Sequence, residues 1–232
     1  EISRCFELWQ EFSPKKTLFD TLEFRAAFVN AYQYKPHFIL LKNRFENLAL
    51  LPLEYDKSRR EYVWFGSLWQ EENKFFAKDP IFVPFLLAIA PKPLTIDAID
   101  FENAKTVKDF VEFQPDSPKY ILDLTKVKTT EDFLMSLTKN RRHDLRKDKR
   151  RIERQNPEII IDNFSDLKNL IKLSRERFRQ KGEDTDWEDR RRVEAFRQVI
   201  KLSGKSYKTK MITVKIGKKI AGVDLVTTFN HC

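Results

Sequence analysis

The sequence is poor in glycine, cysteine and histidine. Five glycines in 232 residues leave little room for the glycine-rich turns that cradle nucleotide phosphates, and no dinucleotide fingerprint occurs. Gly204-Lys205-Ser206 imitates the end of a P-loop. Val199, however, stands where the first glycine belongs, and the run follows a helix and precedes a strand, the reverse of what phosphate cradling needs. Cys5 and Cys232 lie near opposite ends with no pairing pattern, so neither a disulfide framework nor a cysteine zinc site is indicated. This usage reads as a reducing, cytoplasmic setting. His37, His143 and His231 are scattered, no two at metal-ligand spacing, and no metal is expected. No Ser or Cys sits in a nucleophile elbow. No apolar run reaches the ~18 residues of a membrane span; the longest candidate, Ile81 to Ala90, is bounded by Pro80 and Pro91. The chain opens with neither an initiator Met nor a secretory signal, and stops at Asn230-His231-Cys232 directly after a strand, so it reads as a fragment.

A hydrophobic content of 41% with 20 Phe argues for a packed core rather than disorder, and 34% charged residues for long helices with polar faces. The length allows one large or two modest domains. A net charge of +9 and a pI near 9.4 suit a partner carrying phosphate or carboxylate without identifying it.

Most of that imbalance sits in one stretch, Thr130 to Asn156. Thr130 before Glu131 and Asp132 places a hydroxyl cap and acids where a helix start favours them. No Gly or Pro interrupts until Pro157, which predicts one helix. On a 3.6-residue wheel Leu134, Leu137, Leu145 and Ile152 form a narrow stripe, with Arg141 and Asp148 inside it. Arg142, Arg146, Lys149 and Arg150 stand side by side on its flank. From Lys139 to Arg154 nine Lys and Arg face three acids, a net +6. Such a run is either a solvated face whose acids pair with neighbouring bases or a surface for a phosphate-rich ligand, with Arg141 turned toward a cleft.

Around this stretch the pattern predicts helices over Phe19–Tyr32, Pro80–Ala90 (buried), Ser165–Gln180 and Thr185–Leu202. The predicted strands are His37–Leu41, Leu48–Leu53, Glu61–Phe65, Leu94–Ile99, Tyr120–Leu124, Glu158–Asp162, Tyr207–Ile216 and Lys218–Phe229. Gln114-Pro115-Asp116-Ser117-Pro118 reads as the domain boundary, dividing the chain into 1–118 and 119–232. The run Trp64-Phe65-Gly66-Ser67-Leu68-Trp69-Gln70-Glu71-Glu72-Asn73 is either a core strand leaving its sheet or a cleft rim with Trp69 and Asn73 as contacts. Glu183, Asp184, Asp186, Glu188 and Asp189 are explained by helix capping, or else offer a site for a cationic amine. Asp224, mid-strand, is a general-base candidate only if buried. Asn163-Phe164-Ser165 is a glycosylation sequon by pattern alone.

After Pro157 the order is strand, helix, helix, strand, strand. That is how the GNAT acyltransferase fold begins, and Phe133-Leu134-Met135-Ser136-Leu137-Thr138-Lys139-Asn140-Arg141-Arg142, continuing to Leu145-Arg146, resembles the signature of its CelD/BcsL-like branch. In architecture that branch is similar to the Fem-type peptidoglycan aminoacyltransferases. Leu51-Pro52-Leu53 and Trp64-Phe65-Gly66 resemble the branch's first half. The resemblance implies an α/β (α+β) protein of two GNAT-like lobes, with mixed sheets flanked by helices and the second lobe incomplete. It implies transfer of an acyl or acetyl group from acetyl-CoA or another acyl-CoA to an amine or hydroxyl. The acceptor would be a small molecule or a cell-envelope or polysaccharide precursor. Arg141, Arg142 and Arg146 would be phosphate contacts, Trp69 and Asn73 rim contacts, and the catalytic base stays unnamed. The family's pyrophosphate loop, Q/R-x-x-G-x-G/A, should follow the next strand and is missing here. Arg179 to Asp184 reads R-x-x-G-x-D, but lies between helices and fails at its last position, so an isolated fragment would be inactive. Two alternatives stay open: an aminoacyl-tRNA-dependent Fem-like transferase, and a nucleic-acid-binding module using the basic helix.

Overall fold

The computed structural model describes residues 2–66, 70–99, 107, 114, 120–123 and 125–230. Trp69, Leu124, Cys232 and most of the expected boundary at 114–118 lie outside them. The described chain is an α+β protein with two antiparallel sheets. It divides into two compact units: Glu1–Asp116 with Glu183–Thr209 and Thr227–Cys232, and Ser117–Gly182 with Lys210–Val226.

In the first unit, strands β1 (Lys35–Lys42), β2 (Asn47–Asp56) and β3 (Glu61–Trp64) pair in that order. The two-residue β4 (Phe76–Ala77) shares β2 with β3, pairing at Ala49 and Leu50. Strand β2 is apolar almost throughout because both its faces are covered. Ala49, Leu51 and Leu53 join Trp64, Val83, Leu86 and Leu87 in one core, while Leu50 joins Trp9, Val29, Phe65 and Phe76 in another. Helix α1 (Ile2–Phe12) supplies Trp9, whose ring lies 4.9 Å from that of Phe76 and 5.5 Å from that of Phe65. Its indole N–H donates to Asp20 O at 2.9 Å, which satisfies the one polar atom of a buried aromatic.

Helix α2 (Leu22–Tyr32) is wedged between two cores. Val29 faces Trp9, while Phe24, Ala27 and Phe28 pack with Ala195, Val199 and Tyr207. Arg25 is 3% exposed and every end of its fork is used. Nε donates to Phe19 O (2.7 Å), one terminal nitrogen to Phe65 O (2.9 Å) and Asn73 Oδ1 (2.7 Å), the other to Glu72 O (3.2 Å). Burial lowers its pKa to about 9, against the attraction of Asp20, Glu54 and Asp97, so it stays charged at neutral pH. Gly66 has φ +68°, and a Cβ there would meet Arg25 O at 3.0 Å, so this close approach requires glycine.

In the second unit, β5 (Pro157–Ile161), β6 (Lys208–Ile216) and β7 (Lys219–Thr228) form a sheet in that order, β5 pairing antiparallel from Pro157↔Ile216 to Ile161↔Ile212. Helix α6 (Leu167–Lys181) buries Leu167 and Ile171 and ends at Gly182 in the left-handed conformation. Buried Asp166 accepts from Asn163, Asn169 and Thr213 side chains at 2.7–2.9 Å. The sequon asparagine, itself exposed, donates to this buried carboxylate.

Several expected elements differ. Thr130–Asn156 is two helices, α4 (Thr130–Ser136) and α5 (Lys139–Glu153). Leu137 turns extended, and Thr138 starts the second helix by accepting from the Arg141 N–H at 3.4 Å. The cap of the first is Thr129, not Thr130, in a reciprocal pair with Asp132. Phe19–Tyr32 begins with a 3-10 turn over Leu18–Asp20. Thr185–Leu202 splits into a 3-10 turn at Asp186–Glu188 and helix α7 (Arg190–Lys201), because Asp189 is extended and caps the latter. Pro80–Ala90 is a 3-10 turn followed by α3 (Val83–Ile89), buried on one face only, with Ile81, Phe85 and Ile89 at 58–61% exposure. Leu94–Ile99 makes isolated parallel bridges at its two ends instead of a strand, interrupted by Ala98 at φ +47°. Tyr120–Asp123 is not a strand; Tyr120 and Ile121 are 92% and 78% exposed.

Two predictions follow from the first unit's polar interior. Arg25→Met strands three carbonyls and Asn73 without a donor, and should cost about 3–5 kcal/mol in urea unfolding; a loss below about 1 kcal/mol would refute the account of Arg25. Buried Asp56 is the second case. Burial pushes its carboxyl up, but hydrogen bonds from the Ser58 hydroxyl, the Arg59 and Ser58 N–H groups and the Tyr34 hydroxyl outweigh this and hold it below the ordinary range. A depressed folded pKa gives stability that is present above the unfolded value of about 3.9 and lost as pH falls through the folded one. Asp56→Asn should therefore lower the urea midpoint at pH 7, and the gap from the parent should close below about pH 4. A gap unchanged down to pH 3 would contradict it.

Candidate functional site

Helix α5 buries none of its 15 residues. Its position is set from the ends. Thr138 caps the start, Arg154 closes the last turn on Arg150 O, and cations in that turn suit the negative end of the helix dipole. From α4, Glu131 pairs with Arg146 and Met135 Sδ accepts from Arg142 at 2.6 Å.

One side of α5 forms an open groove of about 730 Å³ lined by Lys139, Arg142, His143, Arg146, Lys149, Arg150 and Glu153. Arg150 Nε donates to Arg146 O at 3.2 Å, and Lys149 lies 3.7 Å from Glu153. Five cations face one acid here, a composition that suits a ligand bearing several anionic oxygens. Arginine forks bind phosphate bidentately, and such charge-assisted bonds are the strong ones.

The structure brings together Arg142 and Arg146. Arg141 is exposed on another side of the same helix and does not line the groove. Asn73 is 1% exposed in the first unit, accepting from Arg25 and donating to Asp97 O at 3.1 Å. Trp69 lies outside the described residues. Lys149 and Arg150 were legible as flank residues; Lys139, His143 and Glu153 join them through i, i+3, i+4 and i+7 spacing. The acidic cluster has structural work. Asp189 caps α7 and pairs with Arg191 at 2.8 Å, a hydrogen bond that holds its pKa low, and Asp186 pairs with Arg192. Asp224 is exposed on β7. Among the described residues no group of His, Cys, Asp or Glu is arranged to hold a metal, and no helix is long and apolar enough to cross a membrane.

Strand β5, helices α6 and α7 and strands β6 and β7 follow α5 in the expected order, with β5, β6 and β7 adjacent in one sheet. Residues 139–232 match the acetyltransferase (GNAT) domain family. The GNAT match opens at Lys139, the first residue of α5, so the groove is carried by the first helix of the matched segment. No curated protein matches the chain.

Proposed function

We propose that this chain belongs to an acyltransferase that moves an acetyl or other acyl group from acyl-CoA to an amine or hydroxyl acceptor. The observation that carries the reading is the coincidence of the GNAT match with the groove of Lys139, Arg142, Arg146, Lys149 and Arg150. These residues fit a phosphorylated donor: they would hold its phosphates, while the thioester supplies the acyl group. Arg141, on a separate side of α5, is assigned to a phosphorylated acceptor, such as a cell-envelope or polysaccharide precursor, in a cytoplasmic setting. The reading takes the chain as two GNAT-like lobes in sequence, 1–118 and 119–232. Catalysis in such a site comes chiefly from positioning and from polarising the acyl carbonyl.

Calorimetric titration with acetyl-CoA tests the reading. The α5 cations should bind it even without the family's pyrophosphate loop, and Arg142→Ala with Arg146→Ala should weaken that binding at least tenfold, about 1.4 kcal/mol. No binding by the parent, or equal binding by the double variant, would overturn it.

A further inference from the structure

Charge is divided unevenly between the two units. Ser117–Gly182 with Lys210–Val226 holds 22 Lys and Arg against 11 Asp and Glu, a net +11, while the rest of the chain holds 22 against 24, a net −2. The entire basic surplus is therefore in one unit, with α5 as its densest part.

The groove uses only one side of α5. Lys147, Arg151 and Arg154 follow at i, i+4 and i+7 along another side, spanning about 10 Å at 1.5 Å per residue. All three are exposed, and none forms an ion pair among the described residues. Like charges at this spacing repel and destabilise a helix, and α5 has no buried contacts to offset the repulsion. A compact ligand in the groove would leave this second row unneutralised. A long polyanion can follow it.

We propose that the Lys147, Arg151 and Arg154 row binds the phosphate backbone of a nucleic acid. This goes beyond the acyl-transfer reading and stands independently of it. A membrane surface is the weaker fit, because an interfacial helix needs a broad apolar face and α5 offers only Leu145 and Ile152. Evenly spaced phosphates match a row of cations. No Phe, Tyr or Trp lies between Lys139 and Arg154, and His143 lines the groove rather than this row, so the row offers bases no stacking platform and binding is insensitive to sequence.

The test is fluorescence anisotropy with labelled 20-nucleotide RNA and DNA single strands, titrated from 50 to 300 mM salt. Both should bind within a few-fold of each other, with affinity falling steeply as salt rises. Replacing Lys147, Arg151 and Arg154 together by Ala should make the slope of log affinity against log salt shallower by about two, at ~0.7 per phosphate contact on a single strand. Acetyl-CoA affinity should not change, and the melting temperature should not fall. Asp144→Asn, which removes an acid beside Arg151 on the wheel, should tighten binding. Equal slopes for parent and triple variant would overturn the proposal, as would binding to phosphatidylserine vesicles with none to either oligonucleotide. Acetyl-CoA binding is read separately, so failure of either proposal is recognisable without the other.

Discussion

A guanidinium carries five N–H donors on a charge that persists at neutral pH, and this constrains where an arginine can sit. Arg25 meets the constraint by burial among fixed acceptors: the carbonyls of Phe19, Phe65 and Glu72 and the amide oxygen of Asn73. Those four partners come from the turn before α2, the end of β3 and the segment leading to β4. One side chain thereby fixes the backbone path of the first unit, and Gly66 is needed so that the path can pass close enough. Removing such a charge does more damage than its net contribution suggests, because the acceptors around it lose their donor as well.

The arginines of α5 meet the same constraint in the opposite way. They stay in solvent, and most of them make no ion pair among the described residues. Exposed pairs such as Arg146 with Glu131 contribute little, typically about 0–1 kcal/mol. A 15-residue helix without buried side chains is marginal by itself, so α5 depends on its caps, on two contacts with α4 and on whatever neutralises its charge. A helix in this condition is poorly suited to holding a core together and well suited to anion binding, where ligand phosphates remove the repulsion that the free helix carries.

Much of this was readable from the sequence. The order strand, helix, helix, strand, strand and the flank of Arg142, Arg146, Lys149 and Arg150 follow from periodicity, because long alternating or 3.6-residue patterns leave few other solutions. What escaped were interruptions decided by single residues. Thr138 breaks a pattern whose leucine stripe runs straight through it, and Asp189 does the same before α7; each can be either an interior residue or a cap, and composition does not distinguish the two. Leu94–Ile99 has a strand's residues but only end contacts. The run holding Asn73 could be read as a core segment or a cleft rim, and what decides for the core is a buried cation 48 residues earlier that uses its amide oxygen. Partners that distant are set by the fold, and no local spacing records them.

On the acyl-transfer reading, phosphate completes a helix that is under-packed and over-charged by itself. Hydrogen exchange across Leu145–Glu153 tests this most directly, with β2 as an internal standard. Weak protection of these amides is expected in the free protein, with at least tenfold slower exchange under saturating acetyl-CoA, while β2 is unchanged. Protection of α5 equal to that of β2 before any ligand is added, or exchange indifferent to acetyl-CoA, would contradict it.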